Sequence, residues 1–114
     1  MQDLLRLKNS LVKQLTASVK ELRTSATNYA QAEHDYKILV STEALKLRDS
    51  GTAVSMINLV VYGLPSVAKA RFDRDVALGI YEANKEAINS IKLQLRLIGE
   101  QMQREWTSEN DNAG

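Results

Sequence analysis

The chain has no cysteine, a single proline, five glycines, four tyrosines, one phenylalanine and one tryptophan. Without cysteine there is neither a disulfide framework nor a thiolate metal site, and the composition fits a reducing compartment. No run approaches the roughly eighteen consecutive apolar residues that a membrane span needs. The start Met1-Gln2-Asp3-Leu4-Leu5-Arg6 lacks a basic segment followed by an apolar core, so no signal peptide is expected. Charge of one sign is also missing, because fifteen Lys and Arg stand against fourteen Asp and Glu. Such a balance creates no global field to draw in nucleic acid or an anionic membrane, so any such binding must be local. These absences together predict a soluble, cytoplasmic protein, and 114 residues suffice for one domain.

What the chain does have is two heptad-spaced stripes on either side of a central interruption. The first reads Val12, Leu15, Val19, Leu22, Ala26, Tyr29, Glu33, Tyr36, Val40, Glu43, Leu47. The second reads Val67, Ala70, Arg74, Ala77, Tyr81, Asn84, Ile88, Ile91, Leu95, Ile98, Met102, Glu105. Steps alternating three and four residues keep one helix face toward a partner helix for many turns. Neither Gly nor Pro interrupts Asp3 to Asp49, which predicts one helix over about 3–49, close to 70 Å long at about 1.5 Å per residue. Ser50-Gly51 reads as its stop, and Thr52 as the cap of a short helix over about 52–62. Leu64-Pro65-Ser66 restarts the chain, since proline is tolerated in a first turn, and a second long helix follows over about 66–106. Gly79 and Gly99 weaken that helix but leave room for a close neighbour. The polar, Asn-containing stretch 108–114 reads as a disordered tail. The expected fold is therefore all-α: a single helical-hairpin domain over 1–107, two long antiparallel helices in a coiled-coil hairpin joined by a short helix at the tip.

An antiparallel register can be chosen by matching the stripes. The most consistent one sets Leu47 opposite Val67, Tyr36 opposite Ala77, Glu33 opposite Tyr81, Tyr29 opposite Asn84, Leu22 opposite Ile91, Val12 opposite Met102 and Lys8 opposite Glu105. Arg74 then lies near Glu43. Apolar residues off the seam, among them Leu4, Leu7, Leu11, Ile38, Leu39, Leu45, Val76, Leu78, Ile80, Leu93 and Leu97, also want cover. Pairing of two hairpins into a dimeric helical bundle supplies it.

The tip segment from Ala53 to Pro65 is too apolar for a mere connector. It either folds back as a mini-core on Leu45, Leu47, Val67 and Phe72, or offers Met56, Tyr62 and Leu64 to a partner protein. Trp106 is a further protein-binding candidate. A helix-turn-helix reading fits poorly, since Lys69 stands where that motif buries an aliphatic side chain. Lys37, Lys46, Arg48, Lys69, Arg71 and Arg74 can still gather near the tip as a phosphate-contacting patch, diluted by Asp35, Asp49, Asp73 and Asp75.

Catalysis has little to work with. The only histidine, His34, stands between Glu33 and Asp35, whose side chains leave the helix in different directions and cannot share one metal. There is no Glu-x-x-His pair, phosphate-binding loop, dinucleotide turn or nucleophile elbow. No enzyme activity, cofactor or metal is expected.

The stretch Tyr36-Lys37, Leu47-Arg48-Asp49-Ser50-Gly51, Ile57, Tyr62-Gly63, Val67-Ala68, Arg71, Arg74-Asp75 and Arg104-Glu105-Trp106 resembles small helical proteins encoded by phages and prophages of Gram-positive bacteria. That resemblance implies a protein of the host cytoplasm that binds a host or phage protein in replication, recombination or defence. The hairpin also resembles small secreted proteins with a Trp-x-Gly turn in its length, but its turn reads Val61-Tyr62-Gly63 and their C-terminal tyrosine-centred export signal is absent. The reading from sequence is a non-enzymatic, homodimeric helical protein that regulates or inhibits another protein by direct binding. The alternative is a nucleic-acid binder using Lys46, Arg48, Lys69, Arg71 and Arg74, and a third is an assembly scaffold.

Overall fold

The computed structural model describes residues 1–113 as three helices, α1 (Gln2–Asp49), α2 (Val54–Val61) and α3 (Pro65–Ala113). The two long helices pack against each other. The contacts fall into two compact units. One holds Met1–Arg23 with Ala83–Gly114, the other Thr24–Glu82.

The helix ends follow from local chemistry. Gly51 takes φ 94°, a conformation that costs a residue without Cβ nothing. It lets Thr52 N–H reach back to the Leu47 carbonyl at 3.0 Å while Gly51 N–H bonds the Arg48 carbonyl at 3.1 Å, which closes α1 in a Schellman motif. Thr52 does not cap α2 as expected; Ala53 holds that position with extended backbone and no side-chain cap, so α2 begins at Val54. The Leu64 carbonyl accepts from Ala68 N–H at 2.9 Å and Pro65 occupies the first helical position, where its missing N–H costs nothing. α3 continues to Ala113, since adding residues to an existing helix avoids the cost of nucleation, even for Ser, Asn and Asp. Gly114 lies outside the described residues.

In the first unit, Leu11, Ile91 and Ile98 form the buried core with Leu15, Leu95 and Met102 against it. Asn84 Nδ2 donates to the Glu21 carbonyl at 3.4 Å, and the Met1 ammonium pairs with Glu105 at 3.2 Å, where Lys8 was expected. In the second unit, Val61 and Val67 are the most deeply buried side chains, with Leu47, Ile57, Val60 and Leu64 half-buried. The expected mini-core is thus only partly formed, since Leu45 and Phe72 remain exposed.

Every residue of the α3 stripe from Val67 to Glu105 is buried or half-buried, as its spacing predicts. The α1 stripe differs at one end: Leu11 is 3% exposed and Val12 44%. Leu4, Ser18, Ser25, Ala32 and Leu39 are also buried or half-buried at seven-residue steps from Leu11, so near its start the covered face of α1 runs through Leu11 and Leu15 rather than Val12. The register of the second unit is also offset, by about one turn. Tyr81 stacks on Tyr29 rather than facing Glu33, and Arg74 lies against Tyr36 and Glu33 rather than near Glu43. Glu43 pairs instead with Lys46 on its own helix.

Gly79 and Gly99 meet nothing within 4 Å of an added Cβ, so they serve no close approach within the chain. Gly79→Ala and Gly99→Ala should each raise stability by about 0.5–1 kcal/mol in urea denaturation. A loss at either position would place a neighbour there. Leu11→Ala should cost about 2–4 kcal/mol and Val12→Ala less than about 0.5. Equal costs would restore the heptad stripe.

Candidate functional site

Residues 52–68 carry no charge, and α2 lies within them. Ile57, Val60 and Val61 recur at helical spacing and turn inward, which leaves Val54, Met56, Leu59 and Tyr62 on the outer face. Val54 is 79% and Leu59 73% exposed, and Met56 and Tyr62 are exposed as well. Leu64 is half-buried at the start of α3, so of the tip candidates Met56 and Tyr62 are presented and Leu64 only in part. Sequence reasoning missed Val54 and Leu59. For Leu59 the signal was available, because it falls opposite Ile57, Val60 and Val61 on the helix, whereas Val54 is three residues from Ile57 and seven from Val61, so its spacing groups it with them although it is exposed.

The basic candidates of the same unit are mostly neutralised. Lys46 pairs with Glu43 at 3.3 Å, Arg48 with Asp49 at 3.9 Å, Lys69 with Asp73 at 3.0 Å, and Lys37 with Glu33 at 3.4 Å. Arg71 is exposed. Arg74 is held most firmly. Its Nη2 and Nε reach Asp75 Oδ1 at 2.9 and 3.1 Å, its Nε lies 3.6 Å from Glu33 Oε2, and its guanidinium sits 4.5 Å from the Tyr36 ring centroid. Hydrogen bonding to Asp75 raises its pKa above the ordinary arginine value, with Glu33 and Tyr36 adding to the effect. An arginine so committed is a structural tie between α1 and α3 rather than a free phosphate contact.

His34 bonds the Asp35 carboxylate at 3.2 Å, and Gln31 donates to it at 2.8 Å. The His34 contact is the main reason the Asp35 pKa falls below its ordinary value, Gln31 the second. Among the described residues no three His, Cys, Asp or Glu side chains group to hold a metal ion. A cleft of about 140 Å³ lined by Ser25, Asn28, Asp73, Val76, Ala77 and Ile80 is below the usual size for a small-molecule site.

Trp106 belongs to the first unit, 56% exposed, beside Met1, Lys8, Gly99, Met102 and Gln103. That unit also carries a set of cations that sequence reasoning passed over. Among the described residues, Arg6, Lys8, Lys13, Lys92 and Arg96 take no part in an ion pair. Part of their signal was again spacing, since Arg6 and Lys13 stand seven residues apart on α1 and Lys92 and Arg96 four apart on α3.

The Arg74 cluster can be separated energetically. A double-mutant cycle on Arg74→Ala and Tyr36→Leu should give a coupling of about 0.5–1 kcal/mol, and Arg74→Lys should not restore it. Additive effects would remove the stacking from the account of register. No family model matches this chain, and neither curated proteins nor solved structures give a match.

Proposed function

We propose that this chain works by binding protein surfaces: two copies assemble to cover faces that one copy leaves bare, and the outer face of α2 engages a different protein that it regulates or inhibits. One observation carries the reading, the mismatch between core and surface. Six hydrophobic side chains are buried among the described residues, whereas sixteen large apolar or aromatic ones remain exposed. The chain exposes 8223 Å², while a compact monomer of 12.7 kDa exposes about 6,200 Å². The excess of about 2,000 Å² per copy is what obligate homodimers cover, since their interfaces run from about 2,000 to 5,000 Å² in total.

The α2 face suits a second, different partner. It is apolar, uncharged and offers Met56 and Tyr62, residue types that adapt to and anchor at interfaces. Similarity to small phage proteins of Gram-positive bacteria points the search toward host proteins of replication, recombination or defence. The tip cations give a nucleic-acid reading of that unit little support, because all but Arg71 already hold a carboxylate.

Light scattering on a sizing column should give twice 12.7 kDa at micromolar concentration. A monomer with full helical content would overturn the self-association. For the second partner, nuclease-treated lysate should yield a stoichiometric protein with the natural chain that is lost with Leu59→Asp and with Tyr62→Ala. Equal recovery by both variants would remove α2 as the contact.

A further inference from the structure

Phe72, Val76 and Ile80 stand four residues apart on α3 and form one exposed apolar ridge, with Phe72 the barest at 66%. Gly79 falls on the same side, three residues after Val76, and a Cβ there would meet nothing within 4 Å. All four belong to the second unit, as does the cleft that Val76 and Ile80 border with Ser25 and Asn28 of α1. The surface beside the ridge is therefore indented and can receive another ridge. Lys69 and Asp73, the charges next to it, already pair at 3.0 Å, so covering the ridge strands neither. Outside α2, the other exposed large apolar residues of this unit are Ile38 and Leu45 on α1. Those two are two turns apart with Ser41 and Thr42 between them, so they form no continuous ridge.

Given self-association, we infer that the second copy docks on this ridge, α3 against α3 and antiparallel, with Val76 nearest the two-fold axis; the contact rests on that reading and supplies its anchor. A two-fold contact needs a surface complementary to itself. With Val76 on the axis, Phe72 of each copy meets Ile80 of the other, since both lie four residues, about 6 Å, from Val76 along the helix. The same alignment sets Asp73 opposite Gly79, where there is room and no like charge. A parallel pairing would set Lys69 on Lys69 and Asp73 on Asp73 instead. A second copy suits the ridge better than a small ligand, because the cleft beside it, about 140 Å³, is too small for one. The chain also exposes about 2,000 Å² more than a compact monomer of its mass, the area that identical chains cover when they pair. Three successive apolar turns form the centre of such an interface, where a few residues carry most of the binding.

The test uses the full chain, which has no cysteine of its own. Val76→Cys, oxidised with copper phenanthroline at micromolar concentration, should give a disulfide-linked pair, because a bridge forms only when two Cα atoms come within about 7 Å. Ile38→Cys should run as a single chain on a denaturing gel after the same treatment. In sedimentation equilibrium, Phe72→Asp and Ile80→Asp should each raise the dimer dissociation constant at least about thirtyfold, the weight of an interface hot spot, and Leu97→Asp less than about threefold. Circular dichroism should show full helical content in all three, since these side chains are exposed. If an Asp variant unfolds, the Val76→Cys bridge still decides the contact. Dimers of Phe72→Asp and Ile80→Asp as tight as the natural one, or linking of Ile38→Cys as readily as Val76→Cys, would overturn the ridge and leave self-association standing. A monomeric natural chain would overturn both.

Discussion

An α-helix has several sides, and one neighbouring helix covers only one of them. That constraint governs the whole chain. Two long helices packed together bury a single stripe each, and here the buried part amounts to a few side chains in each unit: Leu11, Ile91 and Ile98 in one, Val61 and Val67 in the other. On the remaining sides, sixteen large apolar or aromatic side chains stay exposed among the described residues. Length is what makes this arrangement possible, because each added turn contributes a little to the seam. It also leaves more surface bare with each turn.

Within that seam, polar residues set the alignment. Leucine and valine pack nearly as well one turn away, so they discriminate registers poorly. Arg74 does not tolerate such a shift. Half-buried, it needs a carboxylate and a surface for its planar group, and Glu33 with Tyr36 on α1 supply both. The parallel stack of Tyr29 and Tyr81, with centroids 6.3 Å apart, belongs to the same alignment. The register read from the stripes pairs Glu33 with Tyr81 and sets Arg74 near Glu43, about one turn from the observed alignment.

The helices, their punctuation and the α3 stripe were legible because they depend on neighbours in sequence. Gly51 after Ser50, and Pro65 after Leu64, act through backbone geometry within a few residues. The α1 stripe was legible from Leu15 to Leu47 and failed at Val12, where the neighbouring row through Leu11 faces inward instead. Over 108–113 polarity lowers helix propensity by only a fraction of a kcal/mol per residue, so α3 continues there once it exists. The site candidates were harder to read. Whether a lysine is free depends on the carboxylate one turn away, and Lys69 with Asp73 or Lys46 with Glu43 could have been paired on paper.

Which sides two copies could share depends on where the unpaired cations stand. Burying Lys8, Lys92 and Arg96 against their own symmetry mates would oppose like charges in a region emptied of water. Two-fold contact is favoured instead on sides that carry Leu7 and Leu97 in the first unit, or Val76 and Ile80 in the second, where exposed apolar groups stand without a row of cations. A dimer formed that way would leave Lys8, Lys92 and Arg96 in solvent. The uncharged stretch 52–68 stands apart, since its length alone is too small for the area that a stable dimer covers.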